Sequence, residues 1–203
     1  MPSAGDQLIE QYRQLHASTR YGATSVKNLR FLRPEIRLLG PRSILDYGCG
    51  QSMLLEELNL GYPVVLYRYD PAIPAIATPP AERVDLLINI DVLEHIPEPD
   101  LDRVVAHMAS LCRNAIIIVD TEPAGTFLPN GENAHCTLHP HGWWADYLGR
   151  FFPTLEPVRV KRRRRAAFRT WSRKPGEAAR YHLMRAQEDT RFWLGRVRRL
   201  TGA

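Results

Sequence analysis

The chain has 203 residues, 44% hydrophobic and 24% charged, with 4 Trp, 8 Tyr and 6 Phe. That content excludes a disordered chain and is enough for one substantial core. The longest apolar runs, such as Ala115 to Val119, fall far short of the roughly 18 residues that a spanning helix needs. Cys49, Cys112 and Cys136 have no paired spacing, which excludes a disulfide scaffold and predicts a reducing compartment. The opening stretch MPSAGDQLIEQYRQ has no apolar leader segment, so a cytoplasmic protein is expected. The net charge of +5 is unevenly placed: residues 1–155 carry 12 Lys and Arg against 18 Asp and Glu, and residues 156–203 carry 15 against 4. A basic end on an acidic body predicts either an anionic partner or a face that pairs with the body itself.

In chain order, Leu8, Ile9, Tyr12 and Leu15 recur at helical spacing and predict a helix over 6–17, followed by a turn at Tyr21–Gly22. Val26, Leu29, Leu32, Ile36 and Leu39 predict a second helix over 24–39, kinked at Pro34 and ended by Gly40–Pro41. Residues 43–47 predict a strand running into Gly48-Cys49-Gly50, and 52–59 a helix starting near Ser52. Residues 63–69 predict a strand ending at Asp70. The next stretch, 71–81, holds four prolines and cannot form a regular helix. A buried strand over 84–90, a helix over 100–111, a strand over 115–119 and a helix over 141–151 follow. Residues 157–172 predict two strands joined near the KRRRR run at 161–165, and 177–200 a final amphipathic helix. The organisation expected is one domain: a helical cap over 1–42, an α/β body over 43–172 and a basic helical extension over 173–203.

Strands and helices alternate from residue 43 to about 150. This predicts a mostly parallel, Rossmann-like sheet with helices on both faces. Ligands of such sheets bind beyond the carboxyl ends of the strands. The residues that matter are therefore those following each strand: Gly48 to Ser52, Asp70, Asp91 to His95, and Thr121 onward.

Glycines 48 and 50 remove Cβ atoms where the backbone turns sharply and a ligand must come close. A dinucleotide site wants G-x-G-x-x-G, and the third position here is Met53, which disfavours a dehydrogenase. An acidic residue inside the strand followed by G-x-G, here Asp46, Gly48 and Gly50, resembles the first motif of the class I (Rossmann-like) S-adenosylmethionine-dependent methyltransferases, with Ser52 in place of their last glycine. The segment VDLLINIDVLEHIP over 84–97 resembles the same family's fourth-strand motif, and the resemblance covers about residues 20–155. It implies S-adenosylmethionine as cofactor, held by Asp46, Gly48, Cys49 and Gly50, with Asp70 accepting from the ribose hydroxyls and Asp91 and Val92 lining the methionine end. In several branches of the family an N-terminal segment closes over the cofactor, which makes Tyr21 a lid contact. One departure is plain: only 14 residues separate Asp70 from Asp85, too few for the helix and strand that normally supply adenine contacts.

The segment 121–144 gathers Asn133, His135, His139, His141, Trp143 and Trp144 at the expected ligand edge. Methyl transfer to oxygen or nitrogen needs an aligned nucleophile and a base near neutrality. His135 is the first choice for that base and His95 the second. A zinc site from His135, Cys136, His139 and His141 matches no usual spacing, so no metal is expected. Cys49 reads as a small turn residue rather than a nucleophile, and Trp143 and Trp144 as helix packing. The expected acceptor is a small or glycan-type metabolite, which the basic end allows to be anionic. Two rivals remain: an RNA or protein methyltransferase using the basic C-terminal region, and a catalytically inactive nucleotide-binding module.

Overall fold

The structure, a computed structural model, describes residues 4–18, 25–161 and 164–201. Tyr21, Arg162 and Arg163 lie outside the described residues. Six strands, β1 (Ser43–Tyr47), β2 (Val65–Tyr69), β3 (Val84–Ile90), β4 (Cys112–Asp120), β5 (Glu156–Pro157) and β6 (Arg165–Arg169), form one sheet in the order β2-β1-β3-β4-β6-β5. The first four are parallel, so their carboxyl ends share one edge. β6 runs antiparallel to β4 with Asp120 opposite Arg165, which brings the start of β6 to that same edge.

Alternation along the strands sorts side chains to two faces. Leu45, Leu87, Ala115, Ile117 and Phe168 pack against α4 (Glu98–Leu111) and α5 (His141–Gly149). Ile44, Leu86, Ile88, Ile116 and Ala167 pack against α2 (Leu29–Leu39) and α3 (Leu54–Glu57). This is the layered, mostly parallel sheet that the element order predicts.

Several local details differ from the sequence reading. Pro34 does not interrupt α2. A proline cannot donate to the carbonyl four residues back, here Arg30, and that oxygen instead accepts a 2.6 Å bond from Arg185 of α6 (Glu177–Thr201). α6 thereby forms an outer layer on α2, and its buried Glu188 receives Arg33 at 3.1 Å and Arg37 at 3.4 Å. The helix expected over 52–59 shrinks to α3, because Leu58 and Leu60 both enter the core and a helix cannot bury positions two apart together. Its last carbonyl and those just beyond it are satisfied by α2: Arg33 donates to Glu57 O, and Arg37 to Asn59 O and Leu60 O.

β2 closes one margin of the sheet, and Val65, Leu66 and Tyr67 are exposed there. The proline-rich link from β2 to β3 holds a single 3-10 turn, Pro74–Ile76.

Candidate active site

The shared strand edge carries a cavity of about 440 Å³. That volume is in the range of about 300–1,000 Å³ usual for small-molecule and cofactor sites. It is lined by Asp46, Gly48, Cys49, Gly50, Asp70, Asp91, Val92, His95 and His135 together. Every described residue that the sequence pointed to for cofactor or catalysis therefore meets at one site.

The glycine bend follows from β1. Gly48 has φ +72, and a Cβ there would lie 2.7 and 2.8 Å from the two Cγ atoms of Val92. Backbone N–H groups of Gly48 and Cys49 donate to Tyr69 O, which ties the bend to the end of β2. Asp70 is buried, and its carboxylate accepts from Gly50 N–H at 2.8 Å and Ala72 N–H at 2.9 Å. A carboxylate has about four acceptor positions, so two remain for hydroxyl donors from the cavity. The Cys49 thiol, buried beside Asp46, is pushed up to about 12 by desolvation, as befits a turn residue and not a thiolate nucleophile. Burial likewise raises Asp46 to about 7, opposed by the charge of Arg68.

Asp91 follows β3 in a left-handed conformation, φ 56, an uncommon one for a residue with a side chain. Its carboxylate accepts a 2.6 Å bond from Arg165. Arg164 bonds Asp120 at 2.9 Å and Glu122 at 2.6 Å. Two of the five cations in the run are thus drawn onto the acidic strand ends, because the antiparallel register of β6 delivers them there. This part of the run is not the solvated hairpin that the adjacent charges suggest.

Behind this edge lies Glu94, with no solvent exposure. Its Oε1 accepts from Asp120 N–H at 3.0 Å, and its backbone carbonyl accepts from Cys136 and Thr137. Desolvation, reinforced by the charge of Asp91, raises its pKa well above the usual carboxylate range. His95 is buried and lowered to about 4, chiefly by desolvation, so it is neutral at pH 7. Its Nδ1 lies 2.7 Å from Ala134 O and 2.8 Å from the Tyr12 hydroxyl. His135 is half-buried and set by Asn133, which bonds both sides of its loop: Oδ1 accepts from Ala124 N–H and His135 N–H, and Nδ2 donates to Ala124 O. The His135 Nδ1 lies 2.6 Å from Glu122 O. A carbonyl only accepts, so Nδ1 carries the proton and Nε2 the lone pair of the neutral ring.

The sequence predicts a helical cap over 1–42, but the side chains it supplies, two rim arginines and Glu94 escape that reading. Leu8, Ile9, Tyr12 and His16 of α1 (Ala4–Ser18) roof the cavity, and Gln51 donates to His16 O at 2.9 Å to hold the roof on the glycine bend. The apolar stripe of the first helix is the signal that it covers something. Arg164 and Arg165 at the rim have no sequence signal apart from strand register. Glu94 has one, the acidic residue beside His95, but its burial does not show in the sequence. His139 and His141 do not join His135: His139 stacks on Trp143 at 3.7 Å and bonds Glu98 at 3.2 Å. Trp144 is fully buried in the core, as expected of helix packing.

A model of the methyltransferase domain matches residues 16–188. No curated protein matches the chain in sequence. Among solved structures, the 1,6-didemethyltoxoflavin-N1-methyltransferase of Burkholderia thailandensis, bound to 1,6-didemethyltoxoflavin and S-adenosylhomocysteine, superposes with a TM-score of 0.58 at 16% identity, over 83% of this chain and 90% of that one. The magnesium protoporphyrin IX methyltransferase of Synechocystis, bound to S-adenosylhomocysteine, gives 0.47 at 18% identity, over 83% and 87%. Among the described residues no helix is long and apolar enough to cross a membrane. With its domain match spanning most of the sequence and the strand-edge cavity built on the motif residues, the chain belongs to the class I, S-adenosylmethionine-dependent methyltransferases.

Proposed function

We propose that the chain methylates an oxygen or nitrogen of a small or glycan-type metabolite at the His135 end of the cavity. The observation that carries this reading is a single cavity lined both by the glycine bend with Asp70 and by His95 with His135. Asp70 would accept from the ribose hydroxyls, and Gly48, Cys49 and Gly50 would let the backbone approach the nucleoside. Asp46, Asp91 and Val92 would line the methionine portion. S-adenosylmethionine, when bound, supplies an electrophilic methyl group on a sulfonium. The chain's own work is to align the acceptor, exclude water under the α1 roof and receive the acceptor's proton. His135 Nε2, an available lone pair at the cavity wall, is the base in this reading. Arg164 and Arg165 at the rim pair with Asp120, Glu122 and Asp91, and so neutralise the acidic strand ends beside the acceptor.

The basic C-terminal region supports a small acceptor better than a polyanion. Arg169 and Arg173 pair with buried Glu35, Arg185 with Asp189, and Arg191 with Glu188, so these cations are engaged within the fold. A cytoplasmic setting belongs to the same proposal, in keeping with three free cysteines.

Calorimetric titration with S-adenosylmethionine, and separately with NAD, tests the donor side. Binding of the first alone is expected, and Asp70→Ala should weaken it by about 1–3 kcal/mol through loss of a buried acceptor. Binding of neither ligand would favour the inactive module, and unchanged affinity in the variant would remove Asp70 from the site.

A further inference from the structure

We propose that Glu94, His95 and His135 form a site for a divalent first-row transition-metal cation on the acceptor side of the cavity. One ligand atom of each residue lies within 4.8 Å of the others, and theirs is the group of this kind found among the described residues. Cations of this class sit about 2.0–2.2 Å from imidazole nitrogen and carboxylate oxygen, so small side-chain shifts close the triad. The two imidazoles already meet edge to face with centroids 4.7 Å apart.

An independent observation points to a ligand. Glu94 is wholly buried, yet its Oε2 has no hydrogen-bond partner, although Oε1 is satisfied by Asp120 N–H. A buried, unsatisfied carboxylate oxygen is costly, and a cation bound to it removes that cost. The ring settings agree. Nδ1 of His135 faces the carbonyl of Glu122, and His95 is held by the backbone of Ala134 and of Asp91. Backbone carbonyls commonly orient metal-binding imidazoles in this way. Asn133 fixes the loop that carries His135. Two imidazoles and one carboxylate without a thiolate suit Zn²⁺, Mn²⁺, Fe²⁺ or Co²⁺ better than Mg²⁺ or Ca²⁺. The expectation of no metal rested on a different set of residues, His135 with Cys136, His139 and His141.

His95 and His135 both line the cavity, so the open coordination positions face the acceptor. This part of the inference rests on the methyltransferase reading above. An acceptor hydroxyl bound to the cation becomes more acidic. Its O–H bond breaks, the proton goes to water, and the electron pair stays on oxygen as the nucleophile. In the loaded protein the His135 lone pair is committed to the cation, so the cation takes over from the imidazole in activating the acceptor.

The test is titration of the chelator-treated full chain with Co²⁺, followed by calorimetry and visible absorption, in parallel with S-adenosylmethionine binding. A single saturable site is expected, with ligand-field bands of nitrogen and oxygen ligation. His135→Ala and Glu94→Gln should each weaken Co²⁺ by about tenfold or more, and His135→Ala should leave S-adenosylmethionine affinity unchanged. If Glu94→Gln loses S-adenosylmethionine binding through misfolding, His135→Ala decides. Absence of saturable binding, parental Co²⁺ affinity in His135→Ala, or a thiolate charge-transfer band that places the ion on Cys136 would overturn the proposal. Loss of the methyltransferase reading would look different: Co²⁺ bound, but no S-adenosylmethionine.

Discussion

Gly48 has no room for a side chain, and its backbone lies in the left-handed region. Gly48→Ala should therefore push Val92 out of place and strain the bend. Loss of S-adenosylmethionine binding is expected, with destabilisation of about 1–3 kcal/mol in urea unfolding. Asp46, two residues earlier, makes a prediction of pH dependence. Its folded value of about 7 lies above the ordinary 3.8, so folding takes up a proton between the two. Stability from this group is full below the ordinary value and falls as pH rises toward 7. Asp46→Asn has no such slope. Its stability relative to the parent should rise by about 2–3 kcal/mol between about pH 5 and pH 8, measured by urea unfolding at both. A constant difference would show that Asp46 is ionised throughout. Both residues are legible in the sequence, because an acidic residue and two glycines at a strand end have few other uses. The settings of Glu94 and Tyr12 are not, because they depend on which segments fold across the strand ends.

At the scale of elements, the contact between α2 and α6 includes one exchanged hydrogen bond beside the Glu188 ion pairs. Pro34 frees the Arg30 carbonyl, and Arg185 takes it while its guanidinium also rests on the Phe31 ring, 4.6 Å from the centroid. Arg185→Met keeps the apolar stem but leaves that carbonyl without its donor. A loss of about 1–3 kcal/mol is expected, together with faster proteolysis within α6. Unchanged stability and protection would mean that water satisfies the carbonyl equally well. The helical periodicity made α2 and α6 readable as elements and marked Pro34 as exceptional. It did not reveal their pairing, since partners 155 positions apart in sequence leave no local signal. The shortened α3 has the same origin: what ends it is the need to bury Leu58 and Leu60 together, which is a tertiary demand.

For the whole molecule, the alternation of strands and helices was enough to place the strand-edge site, because parallel strands bring all their carboxyl ends to one side. The charge split was equally visible, but its meaning was not. The acidic strand ends and buried Glu35 receive Arg164, Arg165, Arg169 and Arg173, so part of the basic end is neutralised by the acidic body.

The brevity of the link after β2 bears on which donor molecules the enzyme tolerates. Where relatives of this class build a further strand and helix, this chain offers Pro71, Ala72 and a single tight turn beside an uncovered sheet margin. A nucleobase seated there meets little that could exclude extra bulk. Donors enlarged on the purine should compete with the natural one at similar inhibition constants, within about tenfold, whereas donors lacking a sugar hydroxyl should be rejected more strongly.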